Sequence, residues 1–225
     1  MKYFLTLISL IIMSVSYGQK FTLSIDAQLS VPQGDYKDVN PDAGYGLRTN
    51  VLFKPRKSDF IKFGLELGIQ EKSRATQYFS GNVYGFYEDY KVSATSNIFS
   101  LMFLSRIQPG NFRKVKPFVD ITAGWNVFFS TASIERLTFY SDYNSSYSNS
   151  TKAHWAFSYG AAGGIDIPLN SRDDLGLELK VAYIIGAYTT YLTDPYISND
   201  AQVSFREKNS RTNMLIPQAG IRINL

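Results

Sequence analysis

The sequence predicts an all-β protein, and more specifically an eight-stranded antiparallel up-and-down transmembrane β-barrel. Three observations predict this fold. Apolar and polar side chains alternate along about eight segments of roughly ten residues, the length that a tilted strand needs to cross a membrane. The connections between these segments are alternately long and short, and the polar face of the segments combines many glycines with charges of both signs.

Residues 116–129 show the alternation most clearly. Odd positions from Val119 to Phe129 are apolar, whereas even positions from Asp120 to Asn126 are polar or glycine. Since side chains alternate along a strand, the segment has one apolar and one polar face. Similar segments begin at residues 21, 45, 61, 99, 155, 175 and 215. The pattern alone fits both a soluble sandwich, which buries the apolar face, and a membrane barrel, which turns it to lipid.

The connections are of two kinds. The short ones carry Pro, Gly, Asn or Asp, as turns do, and span residues 54–59, 108–115 and 168–174. The long ones are polar and span residues 31–42, 72–92, 131–153 and 188–212. With both chain ends on the turn side, this order predicts short periplasmic turns and long external loops.

The glycine-rich polar face indicates which side is inside. Glycine weakens a solvated strand, but in a narrow barrel it leaves room for long charged side chains. Each Arg or Lys turned to lipid near the bilayer midplane would instead cost about 2–4 kcal/mol. We therefore predict that a paired polar network fills the lumen. Because a filled lumen leaves no channel, we do not predict a pore. The members of the network are Asp26, Arg48, Glu66, Arg106, Asp120, Asp166, Glu178, Lys180 and Arg222.

The N-terminal residues 1–18 have the layout of a signal peptide, with an early Lys2, an apolar run and small residues at its end. We predict an exported protein with a barrel domain over residues 19–225, located in a Gram-negative outer membrane. The chain has no Cys, which excludes a disulfide framework and a Cys-ligated metal site, and we predict no cofactor. Its net charge of +4 comes without a long basic run, so we predict no nucleic-acid partner.

Aromatic residues predict two belts at the membrane interfaces. The external belt comprises Trp125, Phe129, Trp155, Phe157 and Tyr183, and the periplasmic belt Phe21, Phe53, Phe63 and Phe118. The long connections also contain Tyr, Ser and Asn, a composition typical of adaptable recognition surfaces. We predict such a surface, facing an envelope or extracellular partner, at Tyr84, Tyr87, Tyr140, Tyr143 and Tyr147.

Three segments resemble the small outer-membrane β-barrels of the OmpA and OmpX type, the proteins with an "outer membrane protein beta-barrel domain". They are residues 116–129, the Gly-rich hairpin 158–188 and the last strand 218–225. In the last strand, Gly220, Ile223 and Leu225 match the assembly signal read by the outer-membrane insertion machinery, although this family usually has aromatic residues where Ile223 and Leu225 stand. The resemblance implies contact with outer-membrane lipid and lipopolysaccharide. It also implies a non-enzymatic role in envelope integrity, surface interaction or an export or assembly system.

Two other functions stay open as alternatives. Some eight-stranded barrels that the chain resembles are lipid A deacylases or acyltransferases with a His and a Ser. His154 is the only His, and Ser158 lies four residues further on the same face, roughly 13 Å away along a strand. We therefore predict no enzyme. If the protein were not in a membrane, a lipocalin-like carrier of a small ligand would be the alternative.

Overall fold

The computed structural model describes residues 20–55, 58, 60–83, 86–109, 114–137, 146–150, 153–198 and 202–225. Along these residues the chain forms strands and one short helix. In order they are β1 (Lys20–Pro32), α1 (Asp35–Val39), β2 (Gly44–Lys54), β3 (Ile61–Val83), β4 (Phe86–Ile107), β5 (Lys116–Leu137), β6 (Ser146–Ser150), β7 (His154–Pro168), β8 (Leu175–Gly186), β9 (Tyr188–Ile197), β10 (Val203–Arg211) and β11 (Met214–Asn224). Among the residues that the structure describes, no helix is long and apolar enough to cross a membrane.

Eight of these strands close into an antiparallel barrel, in the order β1, β2, β3, β4, β5, β7, β8 and β11. Each pairs with the next, and β11 pairs with β1 to complete the ring. Asp26 of β1, for example, lies between Arg48 of β2 and Gly220 of β11. The predicted fold class, an eight-stranded antiparallel barrel, is confirmed.

The barrel wall is apolar outside and polar inside. On β1 the side chain of Ile25 is 54% exposed, whereas that of its neighbour Asp26 is fully buried. The same contrast holds on β5, where Ile121 is exposed and Asp120 is buried. Exposed apolar side chains around a whole wall are unfavourable in water and favourable in a hydrocarbon solvent. The arrangement is therefore that of a transmembrane barrel.

The connection 72–92 is long, as predicted, but most of it is not a loop. β3 and β4 contain 23 and 22 residues and continue past the barrel as a hairpin. A β-bulge between Glu71 and Ser73 reverses the parity of β3, so that even-numbered side chains such as Tyr78 face outward beyond it. Beyond the bulge one face of β3 is exposed, whereas Ala75 and Phe79 on the other face pack against the buried Val92, Ala94 and Ile197.

The strands that project past the ring form an external sheet. It comprises residues 72–83 of β3, 86–97 of β4, 130–137 of β5, and β6. The connection 188–212 is likewise a hairpin, in which β9 and β10 pair only with each other. This capping hairpin bends over the external mouth, where β9 contacts β3, β4, β5 and β7, and β10 contacts α1.

The predicted place of Phe118 in the periplasmic belt is wrong. Its side chain is buried in the lumen, because Phe118 has the same parity as Asp120. There the ring lies against the guanidinium of Arg106, with its centroid 3.7 Å from Cζ. A Cβ on Gly164 of the adjacent β7 would lie only 2.4 Å from this ring, so glycine is what makes room for it.

Candidate functional site

The centre of the lumen is held by Arg106 of β4. Its guanidinium donates two hydrogen bonds to Asp120, at 2.7 and 2.8 Å, and two to Glu178, both at 2.7 Å. Asp120 lies opposite Arg106 on the adjacent β5, whereas Glu178 reaches it from β8 across the lumen. All three side chains are almost completely buried. Two bidentate pairs of this kind fix the planar guanidinium in one orientation.

A second bridge crosses the full width of the barrel. The ammonium of Lys180 on β8 donates to Glu66 on β3 at 2.9 Å. These two strands are the seventh and the third of the eight-strand ring, and so face each other. Glu66 also accepts a hydrogen bond from Arg48, which in turn donates to Gln28 at 2.7 Å. The bridge joins both walls and leaves little open cross-section at this level.

Asp26 is bonded differently from the other central carboxylates. Its Oδ2 atom accepts hydrogen bonds from Ser24 and from Asn50, both at 3.3 Å. Its Oδ1 atom has no hydrogen-bond partner among the described residues. Asp26 therefore lies beside the ion-paired residues rather than within a close pair.

Towards the turn end, a third group centres on Arg222 of β11. Its Nε donates to Asp166 of β7 at 3.0 Å, and its Nη2 donates to Asp173 in the β7–β8 turn at 2.8 Å. Lys116 of β5 also bonds the Asp173 carboxylate. Partial burial acts to raise the pKa of Asp173, but these two cationic donors outweigh it and hold the pKa below its usual value. The structure thus brings the nine predicted lumen residues inside: eight form three neighbouring groups, and Asp26 lies beside them.

The external half of the lumen is filled by an apolar plug that the sequence reading missed. Its centre is an aromatic trio in which Tyr36 packs edge-on against Tyr191 and Phe128, with ring centroids 5.3 and 6.5 Å apart. Ile98, Met102, Ile184, Met214 and Ile216 surround the trio and are also buried. Tyr36 comes from α1, Tyr191 from β9 and the others from the barrel wall. Burial raises the pKa of Tyr36 above its ordinary value, so the hydroxyl stays neutral.

Lysines tie the external elements to one another. Lys72, at the bulge of β3, donates to the backbone carbonyl of Asp42 and lies 5.2 Å from the ring centroid of Tyr36. Burial lowers the pKa of Lys72 to about 8. Lys208 of β10 donates to the last carbonyl of α1, that of Val39, and pairs with Asp194 at 2.7 Å. α1, the external sheet and the capping hairpin are therefore joined as one structure.

The predicted recognition residues cannot be placed. Tyr84, Tyr140 and Tyr143 lie outside the described residues, and the side chains of Tyr87 and Tyr147 are likewise not described.

The residues predicted for the external belt lie on the outer wall, where Trp125 packs edge-on against Phe157 at 6.0 Å between ring centroids. In the last strand, Ile223 and Leu225 are exposed, and Gly220 is inward-facing and partly buried. Signal peptide, belts, assembly signal and recognition surface all stay predictions.

His154 and Ser158 do not form a nucleophile–base pair. Ser158 is buried in the lumen, where it accepts a hydrogen bond from Asn126 at 2.9 Å. Asn126 accepts one from Ser100 at 2.7 Å, so Ser158 belongs to a structural hydrogen-bonded chain. Groups of three or more acidic or His side chains that could hold a metal ion are absent from the part of the chain that the structure describes.

A closed ring, an apolar wall and a charged lumen together define the class: this is a transmembrane β-barrel whose interior is filled by its own side chains. No family model matches the chain, and no curated protein matches it in sequence.

Among solved structures, three similar ones are outer-membrane β-barrel proteins. Neisserial surface protein A is 11% identical, with 92% of this chain and 98% of that chain covered and a TM-score of 0.48. A major outer membrane protein from Thermus thermophilus is 11% identical, with 93% and 100% covered and a TM-score of 0.42. Ail, the attachment invasion locus protein of Yersinia pestis, is 11% identical, with 92% and 97% covered and a TM-score of 0.32. The fold assignment itself rests on the strand pairing of this chain.

Proposed function

We propose that this protein is a non-conducting, non-enzymatic barrel of the outer membrane that displays a folded binding surface outside the cell. The observation that supports this most strongly is the external sheet. β3, β4 and β5 are about twice as long as membrane crossing requires, and their extra length is ordered as a sheet rather than as loops. Binding residues are typically carried by segments that a rigid scaffold positions.

The way the external elements are built supports the same proposal. Tyr36 of α1 and Tyr191 of the capping hairpin are buried in the plug, and Ile197 of the hairpin packs with Val92 and Ala94 of the external sheet, so both elements are held in place over the mouth. Large aromatic side chains on these external elements stay accessible: Tyr78 of the external sheet and Tyr188 and Tyr196 of the capping hairpin are each more than 60% exposed. Tyrosine provides a large, rigid and amphipathic contact area at low entropic cost.

The proposed location rests on the barrel wall and on the predicted export signal. Closed barrels are one of the two backbone arrangements that satisfy every hydrogen bond within lipid. An apolar outer wall with aromatic residues toward both ends fits such a setting. Outer-membrane lipid and lipopolysaccharide would then surround the wall, and the outer-membrane insertion machinery would assemble it. An envelope or extracellular molecule would contact the external sheet.

The test is a variant that lacks the tip of the external sheet but keeps the barrel. Ala75 of β3 lies opposite Ala94 of β4, so residues 76–93 can be replaced by an Asn-Gly turn that keeps the register. Cells that display the wild type or this variant would be compared for adhesion to one another and to protein-coated surfaces, and for sensitivity to bile salts. The proposal expects the variant to lose adhesion while the envelope stays intact.

Two results would contradict the binding role. Adhesion that is unchanged in the shortened variant would show that the external sheet is not the binding surface. Increased bile-salt sensitivity in cells without the protein, fully restored by the shortened variant, would instead favour a role in envelope integrity.

A further inference from the structure

A cavity of about 370 Å³ opens at the turn end of the lumen, on the opposite side of the membrane from the external sheet. Strand ends and turns line it, and the residues that carry its charge are Lys54, Lys62, Lys116, Arg172, Asp173 and Asp174. Four of these side chains are cationic and two are anionic, and Lys116 and Asp173 are paired with each other.

Some of these charged side chains are already paired, whereas Lys62 keeps free donors. Asp173 is already bonded to Lys116 and to Arg222 directly above the cavity. Lys62, by contrast, forms a hydrogen bond to the neutral Gln108, from Nζ to Oε1 at 3.0 Å. An ammonium group has three N–H donors, so this bond leaves donors available.

Gln108 gives a second, independent indication of a ligand. Its side chain is 92% buried, since its exposed fraction is 8%. Its Nε2 atom has no hydrogen-bond partner among the described residues, while its Oε1 atom accepts from Lys62. A buried N–H without an acceptor costs about 1–3 kcal/mol. An anionic oxygen in the cavity would satisfy this amide and the Lys62 ammonium together.

We propose that this cavity binds the carboxylates of an acidic peptide segment that approaches from the water at the turn end. The lining residues Thr22, Lys62 and Asn224 belong to the inside of the ring, so the barrel wall separates the cavity from the surrounding lipid. The ligand therefore comes from the aqueous phase rather than from the bilayer. A cavity of this volume also accommodates a side chain with part of a backbone, which is more than one small inorganic anion occupies.

The experiment measures peptide binding to the full barrel in nanodiscs of zwitterionic lipid. A fluorescein-labelled peptide of alternating Glu and Ser is titrated by anisotropy, with the peptide that has Gln for each Glu as its control. The proposal expects binding of the Glu peptide only, weakened by salt. For Lys62→Met and for Arg172→Gln we expect the affinity for the Glu peptide to fall by at least about tenfold, because each variant loses one charge-assisted hydrogen bond. The matched control Lys91→Met removes a lysine of the external sheet and leaves binding unchanged.

Each other outcome overturns the proposal. Equal binding of the Glu and Gln peptides, or wild-type affinity in both cavity variants, shows that the cavity does not read carboxylates. Complete competition by equimolar inorganic phosphate identifies a small-anion site instead. Complete competition by glycerophosphoglycerol, the soluble headgroup of phosphatidylglycerol, assigns the cavity to a lipid headgroup. A gel-mobility shift on boiling identifies variants that have folded, and none of these results depends on the external binding function.

Discussion

Arg106 shows how the lumen residues are coupled to one another. It bonds Asp120 and Glu178 through four N–H···O hydrogen bonds, so its removal would leave two buried carboxylates with Lys180, 3.6 Å from Asp120, as their remaining cation. Removing one partner of a buried ion pair costs more than the pair contributes, because an uncompensated charge stays in a medium of low dielectric constant.

We therefore predict that Arg106→Met lowers the free energy of unfolding by about 3–5 kcal/mol. The measurement is equilibrium unfolding in urea of the barrel reconstituted in lipid vesicles. The control is Arg74→Met, which removes the partner of Glu71 on the water-exposed part of β3 and should cost no more than about 1 kcal/mol. Equal losses in both variants would show that the lumen pairs do not hold the barrel together.

We predict that the stability of the fold depends on pH through the ionisation of the Asp173 carboxyl group. Because the folded-state pKa of Asp173 is lowered, its ion pairs stabilise the fold above the unfolded-state pKa of about 4, and this contribution is lost as the pH falls through the folded pKa. Asp173 has a φ of 61°, which Asn also tolerates, so Asp173→Asn removes the charge without straining the turn. We expect the wild type to exceed this variant in melting temperature at pH 6, and the difference to shrink below about pH 4. A difference that stays constant down to pH 2 would contradict this assignment.

At the scale of elements, the apolar plug fixes the capping hairpin. Tyr191 is buried between Tyr36 and Phe128 and bonds Ser210 at 2.8 Å. Tyr191→Ala should release β9 and β10 from the mouth, so that trypsin cleaves at Arg206 or Lys208 while the barrel keeps its boiling-dependent gel shift. Tyr196→Ala, an exposed position of the same hairpin, should leave the cleavage rate unchanged. Equal rates in both variants would mean that the plug does not hold the hairpin.

The alternation along the wall strands was enough to predict the barrel and to place the lumen charges inside. It was not enough to pair them, because Lys180 and Glu66 are 114 residues apart and meet only through the register of the whole ring. The plug did leave a signal. Phe128 and Ile184 are apolar residues on the otherwise largely polar inward face, and both lie toward the external rim of the barrel. Which side chains cover them depends on how the connections fold back, and local periodicity carries no information about that.

The external sheet escaped prediction for a related reason. Period-2 alternation identifies a strand only where one face is apolar and the other is polar. Beyond residue 71 neither face of β3 meets lipid, and the bulge reverses its parity at the same point. On its covered face Ala75 and Phe79 are interspersed with Ser73 and Gln77, so the regular contrast between an apolar and a polar face is lost there.

At the scale of the whole molecule, the filled lumen predicts that the barrel does not conduct ions. The ionic bridges and the apolar plug close it at two separate levels. We expect no conductance steps in planar bilayers, either for the wild type or for a variant in which residues 189–210 are replaced by a short Gly-Ser linker. Steps in the wild type would contradict the closed lumen. Steps in the shortened variant alone would show that the bridges do not seal it.

The most direct test of the central claim asks whether the apolar wall faces lipid. The chain has no Cys, so a single introduced Cys carries a fluorophore at one known position. Ile121→Cys lies on the outer wall and Tyr196→Cys on the capping hairpin, and both side chains are exposed. In reconstituted vesicles we expect brominated acyl chains to quench the label at 121 and aqueous iodide to quench the label at 196, with neither quencher acting on the other. Quenching of the label at 121 by iodide, without an effect of brominated lipid, would show that the wall faces water and that the protein is not a transmembrane barrel.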